Sequence, residues 1–546
     1  MAERKIILVL SGEICTGKST LSEKLKSRYG FLHCKTRDGL GYYADQKLKG
    51  VTPERDFYQK LGEELDVAGG GKWVLDYFQY LYAEDFSRNN YYLIDSARIL
   101  KQIQHIRESY SYIVYHVHLH ASSATLERRF FERGEIHQLT KEDQQAKYKK
   151  YKSDPTEQKV HKLAKDADLV IDTDRCNDED VFIQVASFFR LLAPTQNDLV
   201  DVIVGGQFGS EGKGQIAAHI APEYDCLMRV GGPNAGHTVF EKPFKHVFHL
   251  LPSGTHRAAN TKLLIGPGAV LNLEKILEEI RTFGIGSDRL VIDENAIIIS
   301  DKDIATEAEM KEHISSTGQG VGVATAGNIL ARLLRKDDHK AKHYIKELRP
   351  FLGSTHLELE ALFAAGKRVL LEGTQGTGLS LQHGIYPYVT SRDTTVSGCL
   401  SEAGISPKRV RKIIMVTRTY PIRVGGTSGP FLSNELTMQD IADRSGKDVY
   451  DLKKTEITTT TKKDRRIAEF SWALFRKACE LNSPTDIALT FTDYISIKNI
   501  PARRYHHLTE ETRRFIEELE SCAGVKVSLI GTTFDYRAVI DRRNWK

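Results

Sequence analysis

At 546 residues the chain is three to four times a typical domain of ~150, so at least two folding units are expected. Apolar residues make up 40% and charged residues 27%, no apolar run approaches the ~20 residues of a membrane span, and MAERKIILVLSGE is broken too early for a secretory signal, which argues for a cytoplasmic protein without a membrane partner. Seven widely spaced cysteines without a CxxC pair favour reduced thiols over a disulfide frame or zinc site, and a net charge of +5 gives little support for a nucleic-acid partner.

Residues 1–192 read as one α/β unit. The apolar, β-branched run Lys5–Leu10 predicts a strand, and it feeds Gly12–Ser19, GEICTGKS, which satisfies GxxxxGK[ST] and precedes a helix-forming segment, Thr20–Arg28. Gly12 and Gly17 let backbone amides approach a phosphate, Lys18 is placed for the β and γ phosphates, and Ser19, followed by Thr20, offers a magnesium oxygen. Tyr91–Ile94 predicts a second strand, with Asp95 and Arg98 emerging at the end where open α/β sheets bind ligands, so either could hold an acceptor nucleotide. Arg37 and Asp38 are further candidates for that role. Arg129 and Arg133 share a face of one predicted helix, as a phosphate lid requires; a solvated basic face paired with Glu127 and Glu132 is the alternative. The aromatic residues between Tyr77 and Tyr92 read as core packing rather than base stacking. Ala167–Asp174, ADLVIDTD, is similar to the last strand of nucleoside and nucleotide kinases, which the unit resembles as a P-loop domain. Residues 193–198, with Pro194 among polar neighbours, are the linker.

In residues 199–546 the apolar runs Leu199–Val204, Lys262–Ile265, Arg368–Leu371, Arg411–Val416 and Asp486–Phe491 alternate with helical stretches, which predicts a large α/β domain around a mainly parallel central sheet. The first run opens into GGQFGSEGKGQ, where Gly205, Gly206, Gly209, Gly212 and Gly214 surround Glu211 and Lys213. Such a loop suits a phosphate, but Gly214 stands where a P-loop has its magnesium-binding hydroxyl, so the metal needs other ligands. GGPNAGHT (Gly231–Thr238), HLLPSGT (His249–Thr255), STGQGVG (Ser316–Gly322), EGTQGTGLSLQHGIYPYVTSRDTT (Glu372–Thr395), TRTYPIRVGG (Thr417–Gly426) and the basic Thr458–Arg466 follow.

These motifs, in this order, resemble the adenylosuccinate synthetases. The resemblance implies an enzyme that phosphorylates the 6-oxygen of a purine nucleoside monophosphate with a nucleoside triphosphate and magnesium, then lets L-aspartate displace the phosphate. It assigns Gly209, Glu211, Gly212, Lys213 and Gly214 to the phosphate cradle, the Gly236 carbonyl and the Ser210 position to magnesium, and His237 and Gln375 to catalysis. It places Asn234, Thr317, Thr390 and Arg423 on the purine nucleotide, with Arg332 reaching across a two-fold interface, which requires a homodimer. Thr460, Thr461, Lys463 and Arg465 would clamp aspartate, although the lysines make a weaker planar match than the arginine usual there. Asp493 stands where the family reads guanine, so GTP is the first choice of donor and ATP the second; Gly531 flanks that base and Phe534 departs from the pattern.

Ser210 is the largest departure, because most of the family has an aspartate base there that takes the purine N1 proton. The 2-aminoadenylosuccinate synthetases of viral 2-aminoadenine pathways are similar in having a small residue at this position, and they act on dGMP. A small hydroxyl beside N1 leaves room for a 2-amino group and accepts its hydrogen, so dGMP or GMP is the favoured substrate. IMP, with proton removal through water or Glu211, is the alternative, and a nucleotide sensor without turnover is a third reading. A kinase-like unit beside such a ligase suggests consecutive steps on related nucleotides.

Overall fold

The computed structural model describes residues 5–47, 55–84, 86–132, 140–192, 197–241, 243–308, 317–334, 336, 339–457 and 463–544. Contacts divide the chain into two compact units, Met1–Leu192 and Ala193–Lys546.

In the first unit β1 (Ile6–Gly12), β2 (Leu32–Cys34), β3 (Tyr91–Ile94), β4 (Val114–His120) and β5 (Leu169–Asp172) form a parallel sheet in the order β2-β3-β1-β4-β5. Every residue of β1 is buried, and alternate side chains enter two cores. Ile6, Leu8 and Leu10 pack with Leu21 and Leu25 of helix Lys18–Tyr29 and with Phe182 and Val185 of helix Asp178–Phe188. Ile7 and Val9 pack with Val74 and Phe78 of helix Trp73–Tyr82 and Ile103 and Ile106 of helix Leu100–Tyr110. Burial on both faces is why the run is continuously apolar. The strand outlasts that run because Ser11 and Gly12 keep pairing with His118 and Leu119. Gly12 lies at φ 139°, and a Cβ there would fall 2.3 Å from the Leu119 carbonyl oxygen, so glycine is required where the loop leaves the sheet. The chain passes from β1 to β2, back to β3, then across to β4, which puts a topological switch point beside this loop. Phe78 and Tyr92 are fully buried and meet edge to face at 5.6 Å, so these aromatic residues are core.

The second unit is built on a ten-stranded sheet in the order Leu352–Gly353, Leu290–Asp293, Lys262–Ile265, Cys226–Arg229, Val369–Glu372, Val200–Gly205, Val410–Arg418, Asp486–Thr490, Val527–Gly531, Val539–Asp541. Only the last pair is antiparallel. Val200, Val202 and Val204 enter a core shared with helices Val396–Ala403, Trp472–Asn482 and Glu510–Ala523, while Ile203 faces the core of helix Lys213–Ile220. The mainly parallel α/β fold expected from the alternation of apolar runs and helical stretches is thus present in both units. Smaller antiparallel elements, the hairpin His237–Glu241/Phe244–Phe248 and the sheet Ile422–Val424/Arg465–Ala468/Glu435–Leu436, carry further candidate residues. All seven cysteines are free, and among the described residues no helix is long and apolar enough to cross a membrane.

Candidate active site

Strand Val200–Gly205 ends in the glycine loop, and helix Lys213–Ile220 starts from Gly212 in the left-handed region at φ 88°. Glu211 is fully buried and folded into the loop: Oε1 accepts from the amides of Gln207 at 3.0 Å and Gly209 at 2.7 Å, and Oε2 pairs with Lys213 Nζ at 2.7 Å. The carboxylate therefore holds the amides and the cation that a phosphate would use, and both its oxygens are engaged. A Cβ on Gly205 would lie 2.6 Å from Glu211 Oε2, and one on Gly376 2.3 Å from Oε1, so these glycines make room for the inner carboxylate. Lys213 Nζ also donates to the Gly209 carbonyl at 3.2 Å. The Ser210 hydroxyl is half-buried and has no hydrogen-bond partner among the described residues, while its carbonyl accepts from Arg418 at 3.4 Å.

His237 starts the hairpin and sits against this helix: a Cβ on Gly214 would come within 3.1 Å of His237 Cβ and 3.3 Å of Ser253 Oγ. The place of the P-loop hydroxyl is thus filled by a histidine. His237 Nδ1 meets Glu372 Oε1 at 2.5 Å and Ser253 Oγ at 3.3 Å, and its Nε2 is buried with no partner among the described residues. Burial, then Arg229 and Lys213, hold the imidazole pKa down to about 4 against the pull of Glu372. Burial disfavours the Glu372 charge, but Arg229, 3.9 Å away, and hydrogen bonds from His237 and Ser253 more than offset it and bring its pKa to about 2. An ionised Glu372 only accepts, so the neutral ring carries its proton on Nδ1 and presents a lone pair at Nε2. A phosphoryl group there would favour the imidazolium, which donates.

The other expected residues are placed as follows. Gln375 is buried with φ 55°, accepts from Thr374 Oγ1 at 2.7 Å, and packs across Gly209. Asn234 Oδ1 and Thr317 Oγ1 are buried without partners among the described residues. Thr390 is half-buried and donates its amide to Leu379. Arg423 is buried over Phe208 at 4.3 Å and donates to the carbonyls of Tyr388 at 3.1 Å and Pro430 at 3.3 Å; burial and Arg466 lower its pKa to about 10. Arg332 is exposed at the end of helix Val321–Ala331 and bonds the Ile329 carbonyl at 3.0 Å. Arg465 donates to Glu456 at 3.0 Å, and that same buried carboxylate takes Arg418 and the Tyr494 hydroxyl, each at 2.7 Å. Thr460 and Thr461 lie outside the described residues, and Lys463 is exposed.

Beside the Gly212 helix start lies a shallow cleft lined by Gln215, Thr490, Phe491, Gly531, Phe534 and Asp535, with Phe491 and Phe534 stacked at 5.7 Å. Gln215 is buried there with neither amide atom partnered among the described residues. Asp493 follows in the next turn, one oxygen 2.5 Å from Lys447 and the other buried without a partner; burial raises its pKa against the effect of Lys447.

In the first unit Lys18 turns back onto the carbonyls of Gly12 at 2.7 Å and Glu13 at 2.8 Å, and burial, then Arg98, lower its pKa to about 7. Glu157 accepts from the Ile14 amide at 3.1 Å and pairs with Arg98 through its other oxygen, so an internal carboxylate engages this loop too. Asp95 is held by His33 at 3.0 Å and by the Thr36 amide at 2.9 Å. Arg129 bonds Thr173 Oγ1 at 2.9 Å and the Thr173 carbonyl at 2.7 Å, in the wall of a shallow cleft that also includes Thr16, Gly17 and Thr20. Ser19 and Thr20 are exposed. The helix bearing Arg129 ends at Phe131, and Arg133 lies outside the described residues.

Glu372, Ser253, Glu456 and Glu157 were not singled out from the sequence. Their partners are 9 to 143 residues away along the chain, and a lone Glu or Ser at a strand end or in a loop has no pattern of its own.

The family model described as adenylosuccinate synthetase matches residues 202–340 and 334–501. The adenylosuccinate synthetases of Methanocaldococcus jannaschii and Pyrococcus horikoshii are each 36% identical over 352 residues, covering 63% of this chain and 96% and 98% of theirs. Among solved structures, the fully ligated adenylosuccinate synthetase from Plasmodium falciparum has a TM-score of 0.55 at 24% identity over 64% of this chain and 100% of that one, which shows a shared fold. The cyanophage S-2L succinoaminodeoxyadenylate synthetase (PurZ), solved bound to dGMP and dATP as an energy donor, has a TM-score of 0.52 at 26% identity, covering 64% of this chain and 96% of its own. By its matched residues and its sheet, the chain belongs to the adenylosuccinate synthetase family.

Proposed function

We propose that this C–N ligase joins L-aspartate to C6 of a 2-amino-6-oxopurine nucleotide, dGMP or GMP, using a purine nucleoside triphosphate. The observation that carries this reading is Ser210, a half-buried hydroxyl with no partner among the described residues in a loop whose neighbouring carboxylate, Glu211, is fully engaged. The short side chain leaves room for a 2-amino group and accepts from it. Similarity to the PurZ structure bound to dGMP supports the same reading. Two acceptors are open for the N1 proton: water, and Glu211 once the phosphoryl has taken over Lys213 and the loop amides.

Lys213 and the loop amides bind the transferring phosphoryl, displacing the Glu211 carboxylate from them. His237, held by Glu372, takes a proton from solvent at Nε2 as phosphate charge arrives, hydrogen-bonds the 6-oxygen with it while that oxygen is phosphorylated, and gives the proton up to the phosphate when aspartate displaces it. The Ser210 hydroxyl and the Gly236 carbonyl fit magnesium as two neutral oxygens, with Asn234 Oδ1 a third candidate. A magnesium ion held there would neutralise phosphoryl charge. The Gln215 cleft suits a purine base stacked on Phe534, with Asp493 favouring GTP and the Gln215 amide able to pair with either purine. Ile329, Leu330, Leu333 and Leu334, 52–82% exposed around Arg332, support a homodimer in which Arg332 enters a neighbouring site. Thr460, Thr461, Lys463 and Arg465 remain the proposed aspartate contacts.

Aspartate-dependent phosphate release with IMP, GMP and dGMP in parallel, with products weighed by mass spectrometry, tests this. Turnover of IMP alone would return the chain to ordinary adenylosuccinate synthesis, and no release with any of them would favour a sensor.

For residues 1–192 the P-loop and the Arg129–Thr173 cleft support a phosphoryl-transfer unit acting on a nucleoside or monophosphate related to the ligase substrate or product. Failure of the full chain to phosphorylate any purine nucleoside or monophosphate in a Lys18-dependent way would remove this reading.

A further inference from the structure

We propose that Glu241, His246 and His256 form a binding site for a divalent transition metal of the zinc class, separate from the magnesium carried with the triphosphate. The hairpin pairs Val239 with His246 and Glu241 with Phe244, so Glu241 and His246 project from the same face. His256 comes from the turn after Pro252–Thr255 and completes a group in which one ligand atom from each residue lies within 4.8 Å of the others. His256 Nδ1 is 3.8 Å from Glu241 Oε2, and the two imidazoles are stacked with centroids 4.5 Å apart.

The donor chemistry selects the ion. Two imidazole nitrogens and one carboxylate oxygen, with a fourth position open to water, suit tetrahedral zinc and disfavour magnesium or calcium, which take oxygen ligands. Zinc–ligand distances of ~2.0–2.1 Å require ligand atoms about 3.3 Å apart, against 3.8 Å between His256 Nδ1 and Glu241 Oε2 here, so binding would draw the side chains together. The other oxygen of Glu241 accepts from the Tyr536 hydroxyl at 3.0 Å, a bond that aims the carboxylate as outer-shell partners of metal ligands do. Stacked imidazoles repel one another once protonated, and a metal that takes a lone pair from each removes that conflict. His256 and Glu241 side chains are 52% and 23% exposed, so an ion has a path in.

The consequence is mechanical. The same hairpin begins with His237, and the turn before His256 holds Ser253, which contacts His237 and Glu372. A metal joining hairpin to turn braces both supports of the imidazole, which makes Glu241, His246 and His256 positioning residues.

The test uses the full chain, stripped by chelator dialysis and titrated with Zn²⁺ or Co²⁺ alone. One ion per chain, a four-coordinate Co²⁺ spectrum lacking thiolate bands, and a rise in melting temperature with zinc are expected. His246→Ala and Glu241→Gln should each weaken binding ~10-fold or more. Because either variant could unfold, far-ultraviolet circular dichroism and magnesium-supported nucleotide binding are measured alongside. No binding, thiolate-type Co²⁺ bands, or zinc affinity unchanged in folded variants would each overturn the proposal.

Discussion

Glu372→Gln keeps size and removes charge at the carboxylate that holds the expected catalytic histidine. In the wild type Glu372 accepts from His237 Nδ1 at 2.5 Å and from the Ser253 amide at 2.7 Å, and faces Arg229 at 3.9 Å. A glutamine has one accepting oxygen for these donors and leaves a buried imidazolium without its counter-charge. A charge-assisted hydrogen bond contributes ~1.5–3 kcal/mol, and loss of a positioned general acid costs ~10²–10⁴-fold. A fall in kcat of about 10³, or ~4 kcal/mol, is therefore expected, with nucleotide KM within a few-fold because Glu372 acts through His237. Single-turnover phosphate release measures it, and a melting curve confirms folding. A folded variant with kcat within threefold of wild type would refute the assignment.

The pair also sets an acid limit on stability. His237 titrates at about 4 in the folded unit against an ordinary 6.5, and Glu372 at about 2 against 4.5, so in both cases the unfolded chain takes up the proton first. Their stabilising contribution is complete above 6.5 and is lost as pH falls from there through 4 to 2. Glu372→Gln removes the lower part of that dependence, visible in melting temperature against pH.

Gly214→Ala pushes a methyl to 3.1 Å from His237 Cβ and should lower kcat ~10-fold or more with little change in donor KM; unchanged kcat would mean that the helix start and His237 move apart freely. Glu157→Ala releases the Ile14 amide and Arg98, so a fluorescent ATP analogue should bind the first unit several-fold tighter, measured in a Lys213→Ala background to silence the ligase site; weaker binding would contradict a blocking role. Leu333→Lys at an 82% exposed position should shift sedimentation toward monomer and reduce ligase turnover, and an unchanged dimer would place the interface elsewhere.

Strands buried on both faces were legible because their apolar runs are continuous, as at Ile6–Leu10 and Val200–Val204, and both glycine loops were legible because backbone approach leaves few alternatives to glycine. Boundaries shifted where hydrogen bonding continues through Ser11 and Gly12 or into Arg418, residues without apolar signal. The electrostatic wiring was not legible. Glu211 reads as a loop residue in sequence, but in the fold it neutralises Lys213 and caps two amides; Glu372 and Glu456 gain meaning only from cations brought beside them by distant strands. Arg465, expected to face aspartate, already shares Glu456 with Arg418, a competition that spacing along the chain does not reveal.

The substrate is tested most directly by competition. Equal concentrations of dGMP and IMP, with saturating aspartate and magnesium and limiting triphosphate, give two succino-products of different mass in one tube. Excess of the 2-amino product is expected for the wild type, with the ratio moving toward the IMP product in Ser210→Asp. A wild-type ratio favouring the IMP product would contradict the role given to Ser210.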